Sequence, residues 1–199
     1  MQKLKDEVRN KIIEAAVKEF SLHGYEKASM RTIAKAAGIS VSNTYNYYPN
    51  KEQLFSSIIE PVFNQVRNIF KQSLQQSMKS AGNNLRSFID GIVNSLVQMD
   101  ARQRQLLIIL TEQSAGTKFE KSKDEMINLL RMHLAEAVRQ PGSAARIEES
   151  QTYILAIIAD NYIDGLFKIL KDYRNREWAE ANLRTLLTYH LSGIKALLV

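Results

Sequence analysis

The chain has 199 residues, 45% of them apolar, and a formal net charge of +6, which suits one or two small domains with a real core. It contains no cysteine, which excludes disulfide frameworks and thiolate metal sites. The three histidines show no metal-ligand spacing, so we expect no metal and no cofactor. No apolar run approaches the roughly 18 residues of a membrane span, and the first residues lack the apolar core of a signal peptide. We therefore expect no membrane association and a cytoplasmic location.

The positive charge is concentrated at the start of the chain. Residues 1–51 contain nine Lys and Arg against five Asp and Glu, whereas residues 52–199 contain eighteen against sixteen. A basic head on a near-neutral body is expected when only the head meets a polyanion such as nucleic acid. Small basic excesses are common, so this pattern is a first indication only.

Apolar residues recur at helical spacing along nearly the whole chain, which predicts an all-α protein of about nine helices. The first helix should end at His23-Gly24, and Gly38 suits a left-handed turn between the second and third helices. Further breaks are predicted at residues 115–117 and 140–143. In chain order the predicted helices cover about residues 5–22, a short segment after Ser29, 40–48, 51–78, 85–99, 102–114, 119–139, 145–173 and 176–198.

The stretch AGISVSNTYNYYPNK (residues 37–51) is unusually rich in amide and hydroxyl side chains. Ser29 and Ser40 are good N-caps, and Pro49 ends the third helix. A helix, a turn with glycine and a short second helix form a helix-turn-helix, whose second helix enters the major groove of DNA. Thr44 and Tyr48 should face inward, whereas Ser42, Asn43, Asn46 and Tyr47 should face outward, with Val41 and Tyr45 at the edges. The alternative is a polar loop flanked by packed tyrosines.

The outward side chains have the chemistry that reads DNA. Asparagine can bond adenine with two hydrogen bonds, a valine methyl can touch the thymine methyl, and tyrosine hydroxyls can hold phosphates. Lys51 and the free N–H groups at the start of the fourth helix should form a further phosphate site. The predicted DNA-contacting residues are Ser29, Arg31, Ser40, Val41, Ser42, Asn43, Tyr45, Asn46, Tyr47 and Lys51.

The segment HGYEKASMRTIAKAAGISVSNTYNYYPNKEQL resembles the N-terminal DNA-binding region of TetR-type transcriptional regulators. The resemblance covers about residues 5–65 and includes Gly24-Tyr25, the run IAKAAG (residues 33–38) and the aromatic and lysine positions that follow. The family usually has other residues where this chain has Ser42, Asn43 and Thr44, so the operator sequence cannot be taken from relatives. The resemblance implies a DNA-binding regulator rather than an enzyme, with a C-terminal helical domain that dimerises and often binds a small effector.

Two domains are predicted: a helix-turn-helix DNA-binding head (residues 1–50) and a helical ligand-binding and dimerisation body (residues 51–199). A long helix with Pro61 inside it joins them, and its kink could be a hinge or a static bend. The last two helices should form a homodimer. Gly165 and Gly193 lie inside them and indicate either close helix approach or tolerated glycines.

Two polar residues in the body are candidate effector ligands. His133 shares a helical stripe with Met126 and Leu130, and Asn161 shares one with Ile154 and Ile158, so each should need a buried partner. The protein itself or an effector could supply that partner. We expect a repressor that binds a palindromic operator as a homodimer and is released by a small molecule. The alternatives are an effector-independent DNA-organising protein, or an all-helical enzyme or adaptor, although no catalytic set has usable spacing.

Overall fold

A computed structural model describes residues 2–79, 85–138 and 149–196, and every regular element in these ranges is an α-helix. The prediction of an all-α fold is confirmed. The helices are α1 (Gln2–Lys27), α2 (Met30–Ala37), α3 (Val41–Tyr47), α4 (Lys51–Lys79), α5 (Leu85–Val97), α6 (Ala101–Glu112), α7 (Ser122–Val138), α8 (Glu149–Lys171) and α9 (Arg176–Ala196).

The helix ends follow the local sequence closely. Gly24 interrupts α1 with φ 70° and ψ 169°, so the regular part of α1 stops where the sequence predicts. α7 begins at Ser122 instead of about residue 119, because hydroxyl side chains turn the backbone before it. Thr117 Oγ1 donates to the Ser114 carbonyl (2.7 Å), and Ser122 Oγ donates to the Phe119 carbonyl (2.6 Å). The break predicted at residues 140–143 lies outside the described residues.

The chain forms two compact units. The first comprises residues 1–65 and 101–122, and the second comprises residues 66–100 and 123–199. α6 and the turn after it therefore belong to the same unit as the first three helices. The division of functions at residue 50 remains a prediction.

Aromatic side chains form the core of the first unit. The Phe20 and Phe55 rings meet edge to face with centroids 4.9 Å apart, and the Tyr25 ring lies 5.0 Å from that of Phe55. Phe119, from the turn after α6, lies 5.3 Å from Phe63. Edge-to-face pairs add to the free energy gained by burial, so this cluster joins α1, α4 and the turn.

α5, α8 and α9 carry the main contacts of the second unit. The Arg184 guanidinium on α9 donates to Asp90 Oδ1 at 3.0 Å and to Asn94 Oδ1 at 2.9 Å, both on α5. A Cβ atom added to Gly165 would lie 2.9 Å from Leu186 Cδ2, so α8 and α9 approach closely at this glycine. Gly193 has no such neighbour within 4 Å among the described residues.

No helix within residues 2–79, 85–138 and 149–196 is long and apolar enough to cross a membrane. The same ranges contain no group of three or more His, Cys, Asp or Glu side chains that could hold a metal ion.

Candidate DNA-binding site

Capping side chains define both helices of the helix-turn-helix. Ser29 Oγ accepts from the Arg31 amide at 3.2 Å, and Ser40 Oγ accepts from the Asn43 amide at 3.1 Å. Gly38 ends α2 in the left-handed conformation, with φ 71° and ψ 30°, which glycine adopts without steric cost. The predicted caps and the predicted turn glycine are therefore confirmed.

The start of α2 is also anchored on α1. The Ser29 amide donates to Oε1 of Glu19, a carboxylate that is nearly buried, at 3.1 Å. Ser29 thus orients α2, and its hydroxyl keeps a proton that it can donate. Arg31 is exposed in the first turn of α2.

Two side chains hold α3 on the rest of the head. Thr44 is fully buried, and Tyr48, just after the helix, is 5% exposed. Thr44 Oγ1 donates to the Ser40 carbonyl at 3.2 Å, which satisfies a hydroxyl that would otherwise be buried without a partner. The predicted inward face is correct.

The opposite face of α3 is exposed and carries no charge. Ser42 and Asn46 are exposed, as are Val41 (37%) and Tyr45 (45%). Such a face offers amide and hydroxyl groups for base edges and phosphates, and methyl groups for thymine.

Asn43 and Tyr47 are half-buried, and both line a cleft beside α3. The cleft has a volume of about 570 Å³ and separates α3 from the beginning of α1. Six residues line it: Lys5, Asp6, Arg9, Asn43, Asn46 and Tyr47. The three α1 residues are absent from the sequence prediction, although the spacing of Lys5 and Arg9 puts both on one helix face.

Lys51 does not fit its predicted role as a phosphate ligand. Its Nζ donates to the carbonyl oxygens of Tyr25 (2.6 Å), Glu26 (3.0 Å) and Ala28 (3.1 Å). The ammonium also lies 4.4 Å from the centroid of the Tyr25 ring. A lysine has three N–H donors, and all three are engaged by the end of α1. Lys51 therefore stabilises the fold of the head.

The candidate effector residues lie in the second unit, and only one of them is buried. His133 is 3% exposed, and its ring centroid lies 4.4 Å from that of Phe88. Asn161 is exposed, so the prediction that it lies on a buried stripe is wrong. α8 buries Leu155, Ala159 and Tyr162 instead, and one residue along a helix turns the side chain by about 100°.

Tyr162 is a buried polar residue that the sequence reasoning missed. It is 1% exposed, and its hydroxyl is the buried side-chain polar atom without a hydrogen-bond partner among the described residues. Burial raises the pKa of the Tyr162 hydroxyl, and the nearby Asp90 carboxylate raises it further. The available signal was a tyrosine on the apolar side of α8.

Comparisons with known proteins identify relatives of this chain. The family model described as "Bacterial regulatory proteins, tetR family" matches residues 12–58. The HTH-type transcriptional regulator LuxR of Vibrio harveyi is 24% identical over 56% of this chain and 52% of its own length. The regulator AcrR of Shigella flexneri is 28% identical over 81% of this chain and 77% of its own length.

The fold also has a solved counterpart. The crystal structure of NalD from Pseudomonas aeruginosa superposes with a TM-score of 0.56 at 25% identity. The match covers 92% of this chain and 96% of NalD, which is described as the secondary repressor of the MexAB-OprM multidrug efflux pump.

Sequence and fold comparisons agree with the resemblance seen in the helix-turn-helix. The chain spans about half of the LuxR protein, 52%, but most of AcrR and NalD. The relatives named here are regulators. Residues 12–58 match the model of the tetR family of bacterial regulatory proteins, and the fold is similar to that of NalD, so the chain is similar to TetR-type regulators in its helix-turn-helix and in its fold.

Proposed function

We propose that this protein is a transcriptional repressor that binds a palindromic DNA operator as a homodimer and is released by a small-molecule effector. The observation that carries the proposal is the exposed, uncharged face of α3, rich in amide and hydroxyl groups. The description of NalD as a repressor supports repression as the direction of control. A DNA target also implies that the protein acts in the cytoplasm.

Asn46 is the best candidate for reading a base. It is exposed on α3, and an asparagine side chain can bond adenine with two hydrogen bonds. Asn46→Ala should relax the preference at one base pair by about 1–3 kcal/mol. Tyr47→Phe, which removes only a potential phosphate contact, should weaken binding to all sequences equally. Competition binding with single-base operator variants would measure both, and an equal loss on every variant would remove Asn46 from base reading.

The homodimer should form through α8 and α9. Large apolar side chains are exposed on these helices, including Tyr153 (69%) and Tyr189 (74%). Monomeric proteins expose few such side chains together, and they commonly mark an interface. In the dimer the two α3 helices should lie about 34–36 Å apart and read successive turns of one DNA face.

The effector should bind in the second unit near buried polar groups. The Tyr162 hydroxyl can donate to an acceptor atom of a ligand, and His133 is buried against Phe88. An aromatic or largely apolar molecule with one acceptor oxygen fits these neighbours, since binding pockets combine apolar walls with a few polar groups. Asn161, being exposed, is left out of this site.

The decisive experiment is the selection of bound fragments from the genome of the source organism, followed by footprinting. A symmetric footprint with two half-sites is expected, and a metabolite panel should contain a compound that releases the protein. A single half-site bound by a monomer would contradict the dimer. Binding that no metabolite relieves would favour an effector-independent DNA-organising protein, and absence of DNA binding would contradict the whole proposal.

A further inference from the structure

The beginning of α1 places two cations beside the recognition helix. Lys5 and Arg9 are four residues apart, so they lie one above the other on the same face of α1. Both are exposed, and both line the cleft whose other wall is formed by Asn43, Asn46 and Tyr47 of α3. The cleft therefore joins positive charge to the amide and hydroxyl donors of α3.

Both cations are available to a ligand. Within the described residues, neither Lys5 nor Arg9 forms a salt bridge. The Arg9 guanidinium lies 5.9 Å from the centroid of the Tyr48 ring. A cation–π contact uses the face of the guanidinium and leaves its N–H donors, which lie in the plane, free for an anion.

We propose that Lys5 and Arg9 bind phosphates of the DNA strand that borders the groove occupied by α3. When a helix lies in the major groove, phosphate rows run along both of its sides, and cationic side chains there fix the register of the protein. The cleft runs along one such side. The inference rests on the proposed function, because it assumes that α3 enters DNA. It also supplies a phosphate contact in place of the one predicted for Lys51, whose ammonium donates to three carbonyl oxygens.

Asp6 gives the proposal a second, opposite consequence. Its carboxylate lines the same cleft, so it should repel a phosphate held by Lys5 and Arg9. Removing that negative charge should strengthen binding, and a gain in affinity cannot result from misfolding.

The test measures DNA affinity as a function of salt concentration. The double variant Lys5→Gln/Arg9→Gln should reduce the slope of log affinity against log salt by about 0.9 for each lost phosphate contact. The loss of affinity should be equal for operator and random DNA. The matched control Lys11→Gln/Lys18→Gln removes the same charge from exposed α1 positions outside the cleft and should keep the wild-type slope. Circular dichroism checks that both variants are folded.

The outcomes separate this inference from the proposed function. If the wild-type protein bound no DNA, the proposed function itself would fail. If the wild-type protein bound its operator but the cleft variant kept the slope of the control, the phosphate contact would be refuted. The proposed function as a DNA-binding regulator would remain valid. Asp6→Asn should raise affinity for operator and random DNA alike. Unchanged or weaker binding in that variant would also contradict a phosphate in the cleft.

Discussion

Lys51 is a cation beside the proposed DNA-binding surface, and its contacts stabilise the fold of the head. Its sequence position, at the start of α4 and just after α3, favours a phosphate contact. The structure gives its ammonium three carbonyl acceptors at 2.6–3.1 Å instead. These acceptors lie where α1 ends, and carbonyls at a helix end have no backbone donor within the helix. Lys51 therefore provides their hydrogen-bond donor.

We predict that Lys51→Met lowers the free energy of unfolding by about 1.5–3 kcal/mol, since hydrogen bonds to a charged group are lost. The salt slope of DNA binding should not change. Urea unfolding and salt titration would measure the two effects. Lys18→Met, at an exposed position of α1, is the control and should leave stability nearly unchanged. A normal stability combined with a smaller salt slope would return Lys51 to the phosphate-binding set.

Tyr162 allows a prediction in which pH matters. Removing its unpartnered hydroxyl with Tyr162→Phe should raise the free energy of unfolding at pH 7 by about 1 kcal/mol, because a buried group without a partner is destabilising. The raised pKa means that the folded protein keeps the proton at a pH where the unfolded chain loses it. Wild-type stability should therefore be intact below pH about 10 and fall above it by about 1.4 kcal/mol per pH unit from this residue.

The phenylalanine variant should lack that alkaline loss. Thermal unfolding of the wild type and of Tyr162→Phe at pH 7, 10 and 11 would measure this. The difference between their free energies of unfolding should widen as the pH rises. If Tyr162→Phe were less stable than wild type at pH 7, the hydroxyl would have to be satisfied in the folded protein.

At the scale of the element, α4 is the helix with an internal proline. Pro61 has no N–H, so the Ser57 carbonyl four residues earlier has no backbone donor. The Ser57 hydroxyl donates to the Leu54 carbonyl at 2.8 Å. It therefore does not serve as the donor that the Ser57 carbonyl lacks. Beside Pro61, Glu60 pairs with Lys118 of the turn after α6, with Nζ and Oε1 3.1 Å apart.

We predict that Pro61→Ala stiffens α4 by restoring one backbone hydrogen bond. If the proline is a hinge, operator affinity and effector release should change together while the dimer persists. DNA-binding titrations with and without effector would measure this, and sedimentation would follow the dimer. Glu60→Gln, which removes only the exposed ion pair, is the control and should have little effect. Unaltered binding and release in Pro61→Ala would identify the proline as a static bend.

The helices were largely predictable because their ends carry local signals. Ser29, Gly38 and Ser40 act on the backbone within three or four residues of themselves, and the structure has them as predicted. The exposure of Asn161 and the carbonyl contacts of Lys51 were not predicted, because both depend on packing between distant segments. Which side of α8 is buried is set by α9, and the acceptors of Lys51 come from residues 25–28. The cleft between α1 and α3 was not predicted for the same reason, since its two walls are more than thirty residues apart in the sequence.

For the whole molecule, the exposed side chains of α8 and α9 predict how dimerisation can be abolished. Tyr189→Glu places a charge on the proposed interface, where burial would remove its hydration. The variant should sediment as a monomer and lose most of its operator affinity. Met132→Glu on α7 is a matched control, because Met132 is 67% exposed, comparable with 74% for Tyr189, and should remain a dimer. A dimeric Tyr189→Glu protein would place the interface elsewhere.

The first compact unit consists of two separate chain segments, and this limits which recombination events preserve its fold. Residues 101–122 belong to the same unit as residues 1–65. Phe119 packs against Phe55 and Phe63, and the Gln113 carbonyl accepts from the Tyr25 amide at 2.9 Å. A recombination that joined residues 1–65 to a foreign body would leave these groups without their partners. A new combination of head and body should therefore arise by coupled exchange of residues 1–65 and 101–122, and not by a single crossover after residue 65.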